Sequence, residues 1–150
     1  MPPFTPPLDR YPDSVRLNTR LHPTLQYRGF TRLLNGQADV HYCVGYEWSF
    51  YHEMGHAAAY ILDIERPLGT LVMMQPGYQS IVTDNPFAAG AQALYCGDYD
   101  HALADYAADA IAYYIATPGE LHPVIRQFLD RSFHKVRVHV DALQNESIPA

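Results

Sequence analysis

Positive charge is scarce in this chain. Its 150 residues include 10 Lys and Arg against 16 Asp and Glu, which gives a formal net charge of −6, and Lys135 is the only lysine. A surface that binds nucleic acid usually presents clustered basic side chains to the phosphates. Because the sequence contains no such cluster, we expect no nucleic-acid partner.

Long apolar runs and secretory features are also lacking. No apolar stretch reaches the roughly 18 residues that suggest a membrane-spanning helix. The N-terminus is rich in proline and has no basic region followed by an apolar core, so it does not resemble a secretory signal. The two cysteines, Cys43 and Cys96, do not require a disulfide, and we prefer the reduced state. These features predict a cytoplasmic protein without a membrane partner.

The most informative run that is present is HEMGH, residues 52–56, which matches HExxH. Residues four apart lie on one face of a helix, so His52 and His56 can offer imidazole nitrogens to one metal ion. Glu53 lies one position further round the helix and can reach a water molecule without being a ligand. Two fixed nitrogens, a position for water and a carboxylate base are what a zinc hydrolase requires.

The residues around this run suit a helix that is buried on most sides, since Phe50, Met54, Ala57, Ala58 and Ile61 are apolar or small. Glycine is unfavourable inside a helix by about 1 kcal/mol relative to alanine. We therefore expect another backbone or a substrate to approach Gly55 closely. The alternative is a helix with two histidines satisfied by neighbours and a surface glutamate.

The sequence predicts one domain over residues 25–150, preceded by a proline-rich extended arm over residues 1–24 that packs on this domain or stays mobile. Asn35-Gly36 is a two-residue hairpin signal and predicts strands at 27–34 and 37–44. Residues 135–140 fit either a strand or the end of the preceding helix. The remaining predicted helices are 47–63, 86–94, 98–116 and 121–134, and the remaining strands are 70–75 and 79–83.

A catalytic zinc site usually has a third protein ligand. Asp105 and Asp109 are four apart on a helix that is otherwise mainly alanine, tyrosine and isoleucine. Two carboxylates buried together would repel each other, whereas a divalent cation, and an imidazole for the second carboxylate to orient, would remove that difficulty. The alternative is a solvated acidic stripe. The ligand candidates after the HEMGH run are Asp84, Asp98, Asp100, His101, Asp105, Asp109, Glu120 and His122.

HExxH followed by an acidic residue and, four positions on, an aspartate resembles the gluzincin arrangement. Residues 105–118, DYAADAIAYYIATP, resemble the second motif of the ImmA/IrrE-like metallopeptidases, approximately E-x-x-A-[ND]-x-F-A-x-x-L-L-x-P. The resemblance implies that Asp105 is the third ligand and that Asp109 holds a ligand histidine. Asp105 replaces the family's glutamate and is one methylene shorter, so the two helices would have to approach more closely.

A second resemblance is to the FtsH-like peptidases, which also carry a HExGHA helix and then an aspartate at the start of a helix. Residues 98–102, DYDHA, fit that pattern, and under it Asp98 is the third ligand. We favour Asp105 because its motif match is longer.

We therefore predict a compact α+β, zincin-like domain in which a small antiparallel sheet packs on the HEMGH helix and the Asp105 helix crosses it. The expected function is zinc-dependent hydrolysis of peptide bonds in a protein substrate, with Glu53 as base. The oxyanion donor would be Tyr78, Tyr99, His101 or Tyr106. The competing hypotheses are a non-catalytic zinc-binding domain and a metal-free scaffold whose tyrosine-rich surface binds a protein.

Overall fold

The computed structural model describes residues 4–25, 29–75 and 99–146, with side chains omitted for 99–102 and 135–146. Its strands are β1 Thr19–Thr24, β2 Phe30–Leu34 and β3 Gln37–Cys43. Its α-helices are α1 Asp13–Leu17, α2 Glu47–Ile61, α3 Glu65–Met74, α4 Tyr99–Ala116 and α5 Pro123–Glu146. Short 3-10 turns cover Leu8–Arg10 and Pro118–Glu120. This architecture is α+β, as predicted.

The three strands form one sheet in the order β1-β3-β2. β2 and β3 form the predicted antiparallel hairpin, and the turn residues Asn35 and Gly36 both have positive φ, at 54° and 76°. Two successive positive φ angles match the twist of a two-residue hairpin, which explains the Asn-Gly pair. β1 pairs with β3 in parallel, so the sheet is mixed and not purely antiparallel.

The N-terminal segment requires a correction. We predicted an extended arm over residues 1–24, but residues 8–24 form a 3-10 turn, α1 and β1. Its prolines occupy places that tolerate them: Pro12 immediately precedes α1, and Pro23 lies in an edge strand. Tyr11 and Val15 are buried in the main core, so this segment belongs to the folded domain.

Two other predictions are also corrected or settled. The strand predicted at 70–75 is wrong, because those residues fall in or directly after α3. Pro67 stands in the first turn, where proline is tolerated, and Leu68 and Val72 are buried one helical turn apart. Residues 135–140 continue helix α5 rather than forming a strand. The predicted strand 79–83 and helix 86–94 lie outside the described residues.

The core lies between the sheet and the helices. Alternate β3 residues Ala38, Val40 and Tyr42 point inward and join the same buried cluster as Phe50 and Met54 of α2. This burial fixes which way α2 faces, since its apolar side packs under the sheet. The described part of the chain contains no helix that is both long and apolar enough to cross a membrane.

Gly55 is where α2 and α4 pack backbone to backbone. A Cβ atom built on Gly55 would lie 2.2 Å from the carbonyl oxygen of Ala108, which is far inside van der Waals contact. The predicted close approach at Gly55 is therefore confirmed. Because α4 carries both Ala108 and Asp105, the same contact also brings Asp105 close to α2.

We expect Gly55→Ala to destabilise the protein by about 1–3 kcal/mol, because the added methyl group must push α2 and α4 apart. In an open helix the same change would instead stabilise by about 1 kcal/mol. Chemical denaturation measures the difference. Gly45→Ala is the matched control, since a Cβ there would meet nothing within 4 Å. A Gly55→Ala variant as stable as its parent would contradict the packing described.

Candidate metal centre

Two packed helices place three donor atoms around one point. His52 and His56 lie on adjacent turns of α2, and Asp105 lies on α4. The Nε2 atoms of the two histidines are 3.2 Å apart. Asp105 Oδ1 is 3.3 Å from Nε2 of His52 and 3.0 Å from Nε2 of His56. Among the described residues, this is the one group of three or more His, Cys, Asp or Glu side chains spaced to hold a metal ion.

The dimensions of this triangle fit zinc. Zinc in a tetrahedral site has bonds of about 2.0–2.1 Å, which places neighbouring donor atoms about 3.3–3.4 Å apart. The observed edges of 3.0, 3.2 and 3.3 Å lie at or just below that spacing. Two imidazole nitrogens and one carboxylate oxygen are also a donor set that zinc accepts, and a fourth position would remain for water or substrate.

Asp109 orients one of the two histidines. Its Oδ1 lies 2.7 Å from Nδ1 of His52, and the Asp109 side chain is fully buried. A proton on Nδ1 donated to this carboxylate would leave Nε2, which faces Asp105 and His56, able to offer its lone pair to a metal ion. This is the outer hydrogen bond that fixes the tautomer and ring orientation of a metal-ligating histidine. The structure thus places Asp109 within hydrogen-bonding distance of His52.

The carboxylates also control the protonation of His52. Burial by itself lowers the pKa of His52, but the hydrogen bonds to Asp105 and Asp109 outweigh it and raise that pKa to about 10. Burial raises the pKa of Asp105, yet hydrogen bonds from His52 and His56 hold it well below its usual range. Burial raises the pKa of Asp109. Without metal, a proton on His52 therefore balances the buried carboxylates, and a bound cation would take over that role.

Glu53 follows His52 on α2 and its charge acts on that histidine, raising its pKa, but it is not one of the three donors. Its side chain is only 8% exposed, and its Oε2 accepts a hydrogen bond of 2.8 Å from the Thr31 hydroxyl. Gly29, just before β2, packs against the same side chain, since a Cβ there would lie 2.9 Å from Glu53 Cγ. Strand β2 and the residue just before it, Gly29, therefore form a wall along the Glu53 side chain.

Sequence motifs did not identify these two neighbours of Glu53. Thr31 and Gly29 belong to no motif, and Thr31 lies 22 positions before Glu53 in the chain. Thr31 points inward on an alternating strand, so the hairpin pattern places it on the core side. Its contact with Glu53 becomes visible only in the tertiary structure, where α2 packs under the sheet.

The other predicted residues are not part of the triangle as described. Glu120 is exposed on a 3-10 turn, and Nδ1 of His122 accepts the backbone N–H of Val124 at the start of α5. Tyr106 is buried in the apolar core, which disfavours it as an oxyanion donor. Asp84, Asp98 and Tyr78 lie outside the described residues, and so do the side chains of Tyr99, Asp100 and His101.

We expect Asp109→Ala to weaken zinc binding by about 10- to 100-fold, because His52 loses the acceptor that orients its ring. Asp109→Asn should lose less, since its amide oxygen can still accept the Nδ1 proton. Competition with a chromophoric chelator measures both affinities. Unchanged affinity in a folded Asp109→Ala variant would show that the carboxylate does not support the metal site.

Comparison of the chain with protein-family models, with curated proteins and with solved structures gave no match.

Proposed function

We propose that this protein is a zinc-dependent metallopeptidase that hydrolyses peptide bonds of a protein or peptide substrate. The observation that carries the proposal is Glu53: a nearly buried carboxylate beside three convergent donors, yet not one of them. Its carboxylate accepts one hydrogen bond, from Thr31, and burying a carboxylate is costly unless it is fully paired or used. A site that served only to hold an ion would not require it.

His52, His56 and Asp105 would hold the zinc ion, with His52 oriented by Asp109. When bound, zinc would polarise the carbonyl of the scissile bond and make a nearby water molecule more acidic. Glu53 would take a proton from that water as it attacks the carbonyl carbon. The same carboxyl group would then deliver the proton to the leaving amine, so that it returns to its ionised form.

The choice of a peptide bond as substrate rests on sequence. HEMGH together with residues 105–118 resembles the two motifs of the ImmA/IrrE-like metallopeptidases. The geometry supports this interpretation of the motifs. Asp105 lies against the Nε2 atom of His56, as a third ligand would, and Asp109 lies against the Nδ1 atom of His52, as a residue that holds a ligand histidine would.

Cleavage of a mixed peptide library tests the proposal. The zinc-loaded protein should generate new peptide termini that mass spectrometry detects, and a chelator should stop this until zinc is returned. Glu53→Gln, compared at equal zinc content, should generate them about 10²- to 10⁴-fold more slowly. If parent and variant give the same peptides at the same rate, the activity does not come from this site.

A non-catalytic zinc-binding domain is the second candidate. A structural zinc site closes its fourth position with a protein ligand. Three donors converge among the described residues, and His101 would be a candidate for a fourth. A zinc affinity that falls strongly in His101→Ala, together with no hydrolysis by the parent, would favour this second function. Absence of zinc from the purified protein would favour a scaffold.

A further inference from the structure

Thr31 occupies a position from which it can control the direction of the Glu53 carboxylate. Its Oγ1 lies 2.8 Å from Oε2 of Glu53 and 3.0 Å from the backbone carbonyl oxygen of the same residue. The threonine is on β2 and the glutamate on α2, so this hydrogen bond links the edge of the sheet to the HEMGH helix.

The hydrogen bond leaves part of the carboxylate available. A hydroxyl group has one proton, and an ionised carboxylate has two oxygens that accept. If Thr31 donates to Oε2, the second oxygen, Oε1, remains able to accept a proton from water. A carboxylate fixed at one oxygen is also limited in its rotation about the terminal side-chain bond, which is otherwise broad.

The backbone at Gly29, just before β2, also packs against Glu53. A Cβ at Gly29 would lie 2.9 Å from Cγ of Glu53, 2.7 Å from Oγ of Ser49 and 2.4 Å from the carbonyl oxygen of His41. The absence of a side chain at position 29 therefore lets the chain pass directly over Glu53. Ser49 is itself fixed, because its Oγ accepts the backbone N–H of Cys43.

We infer that Thr31 is a positioning residue for Glu53: its hydroxyl holds Oε2 against the sheet and directs Oε1 towards the water that attacks the scissile carbonyl carbon. This inference rests on the proposed hydrolytic function and adds to it a residue outside both sequence motifs. The effect on catalysis comes through orientation, since a displacement of about 1 Å at a reacting group can reduce a rate by about a hundredfold.

Thr31→Val tests the inference, because valine keeps the shape of threonine, suits a strand and lacks the hydroxyl group. We expect kcat of the zinc-loaded enzyme to fall by about ten- to a hundredfold while KM and zinc content stay unchanged. Thr31→Ser retains the donor and should return kcat to within about threefold of the parent. An equal loss of kcat in the serine and valine variants, or no loss in either, would overturn the inference.

A second measurement does not depend on activity. The chain has five glutamates, so protein labelled with ¹³C at the glutamate carboxyl carbons gives a simple NMR spectrum in which Glu53 is the signal lost in Glu53→Gln. Thr31→Val should shift that signal and Thr31→Ser should leave it near its original position. A signal unmoved in Thr31→Val would refute the hydrogen bond. If the parent protein hydrolyses no peptide, the proposed function fails, and this spectrum alone decides the role of Thr31.

Discussion

His52→Ala and His56→Ala are each expected to reduce bound zinc from about one ion per chain to a small fraction of that. Each change removes one of three donors that converge within 3.0–3.3 Å of one another. The two remaining donors do not complete the set of three protein ligands that catalytic zinc sites usually have. Elemental analysis of the purified variants measures the loss directly.

A matched control separates loss of a ligand from loss of a histidine. His41 lies on the outer side of the sheet, stacked between His22 and Phe30, and is not part of the metal triangle. His41→Ala should therefore retain zinc. Undiminished zinc in the His52/His56 double alanine variant would show that the zinc is bound elsewhere.

The third ligand is decided by the same measurement on two aspartates. Asp105→Ala should lose zinc as severely as the histidine variants, because Asp105 Oδ1 faces both histidine nitrogens. Asp98→Ala should retain it and cost at most about 1 kcal/mol of stability as a helix cap. The opposite pattern would support the FtsH-like arrangement, and retention in both variants would exclude both arrangements and direct attention to His101, Glu120 or His122.

Glu53→Gln is expected to lower kcat by about 10²- to 10⁴-fold with zinc content and stability nearly unchanged. Glutamine has almost the same shape and can still accept the Thr31 hydroxyl through its amide oxygen, so the wall along β2 stays intact. It cannot take a proton from water at neutral pH, and this removes the proposed base.

Two results would contradict that role. If Glu53→Gln loses its metal, Glu53 is a ligand and the mechanism is wrong; if it keeps full activity, the base lies elsewhere. Glu47→Gln is the matched control, because Glu47 begins the same helix but is exposed to solvent. Kinetic assays and zinc analysis on both variants distinguish a missing base from a general effect of removing a charge from α2.

Several elements could be predicted because their signals are local. The Asn35-Gly36 turn specifies the β2–β3 hairpin through the positive φ angles of two adjacent residues. Residues four apart on a helix specify that His52 and His56 share a face, and likewise Asp105 and Asp109. In each case the interacting groups lie within one turn of the chain, so neighbouring residues contain the information.

The same local reasoning failed where one sequence pattern is compatible with two secondary structures. Residues 70–75 are rich in residues that favour strands, yet they end helix α3 because Leu68 and Val72 bury one face of it and Gly69 packs against Leu103. Pro12 and Pro23 suggested an arm, but β3 supplies the backbone partners that make 19–24 a strand. Those partners are distant in sequence, so the number of prolines in residues 1–24 could not reveal them.

The sequence by itself therefore determined which groups are available for chemistry: two imidazoles, a carboxylate beside them and a pair of carboxylates one turn apart. Tertiary structure decided which of these groups meet. Asp105 reaches His56 across 49 positions of chain and Asp109 reaches His52 across 57, and both contacts depend on Gly55 allowing α2 and α4 to touch. The hydrogen bond from Thr31 to Glu53 follows in the same way from packing the sheet on α2. Contacts at such separations arise from burying apolar faces against each other, and no short run of residues specifies them.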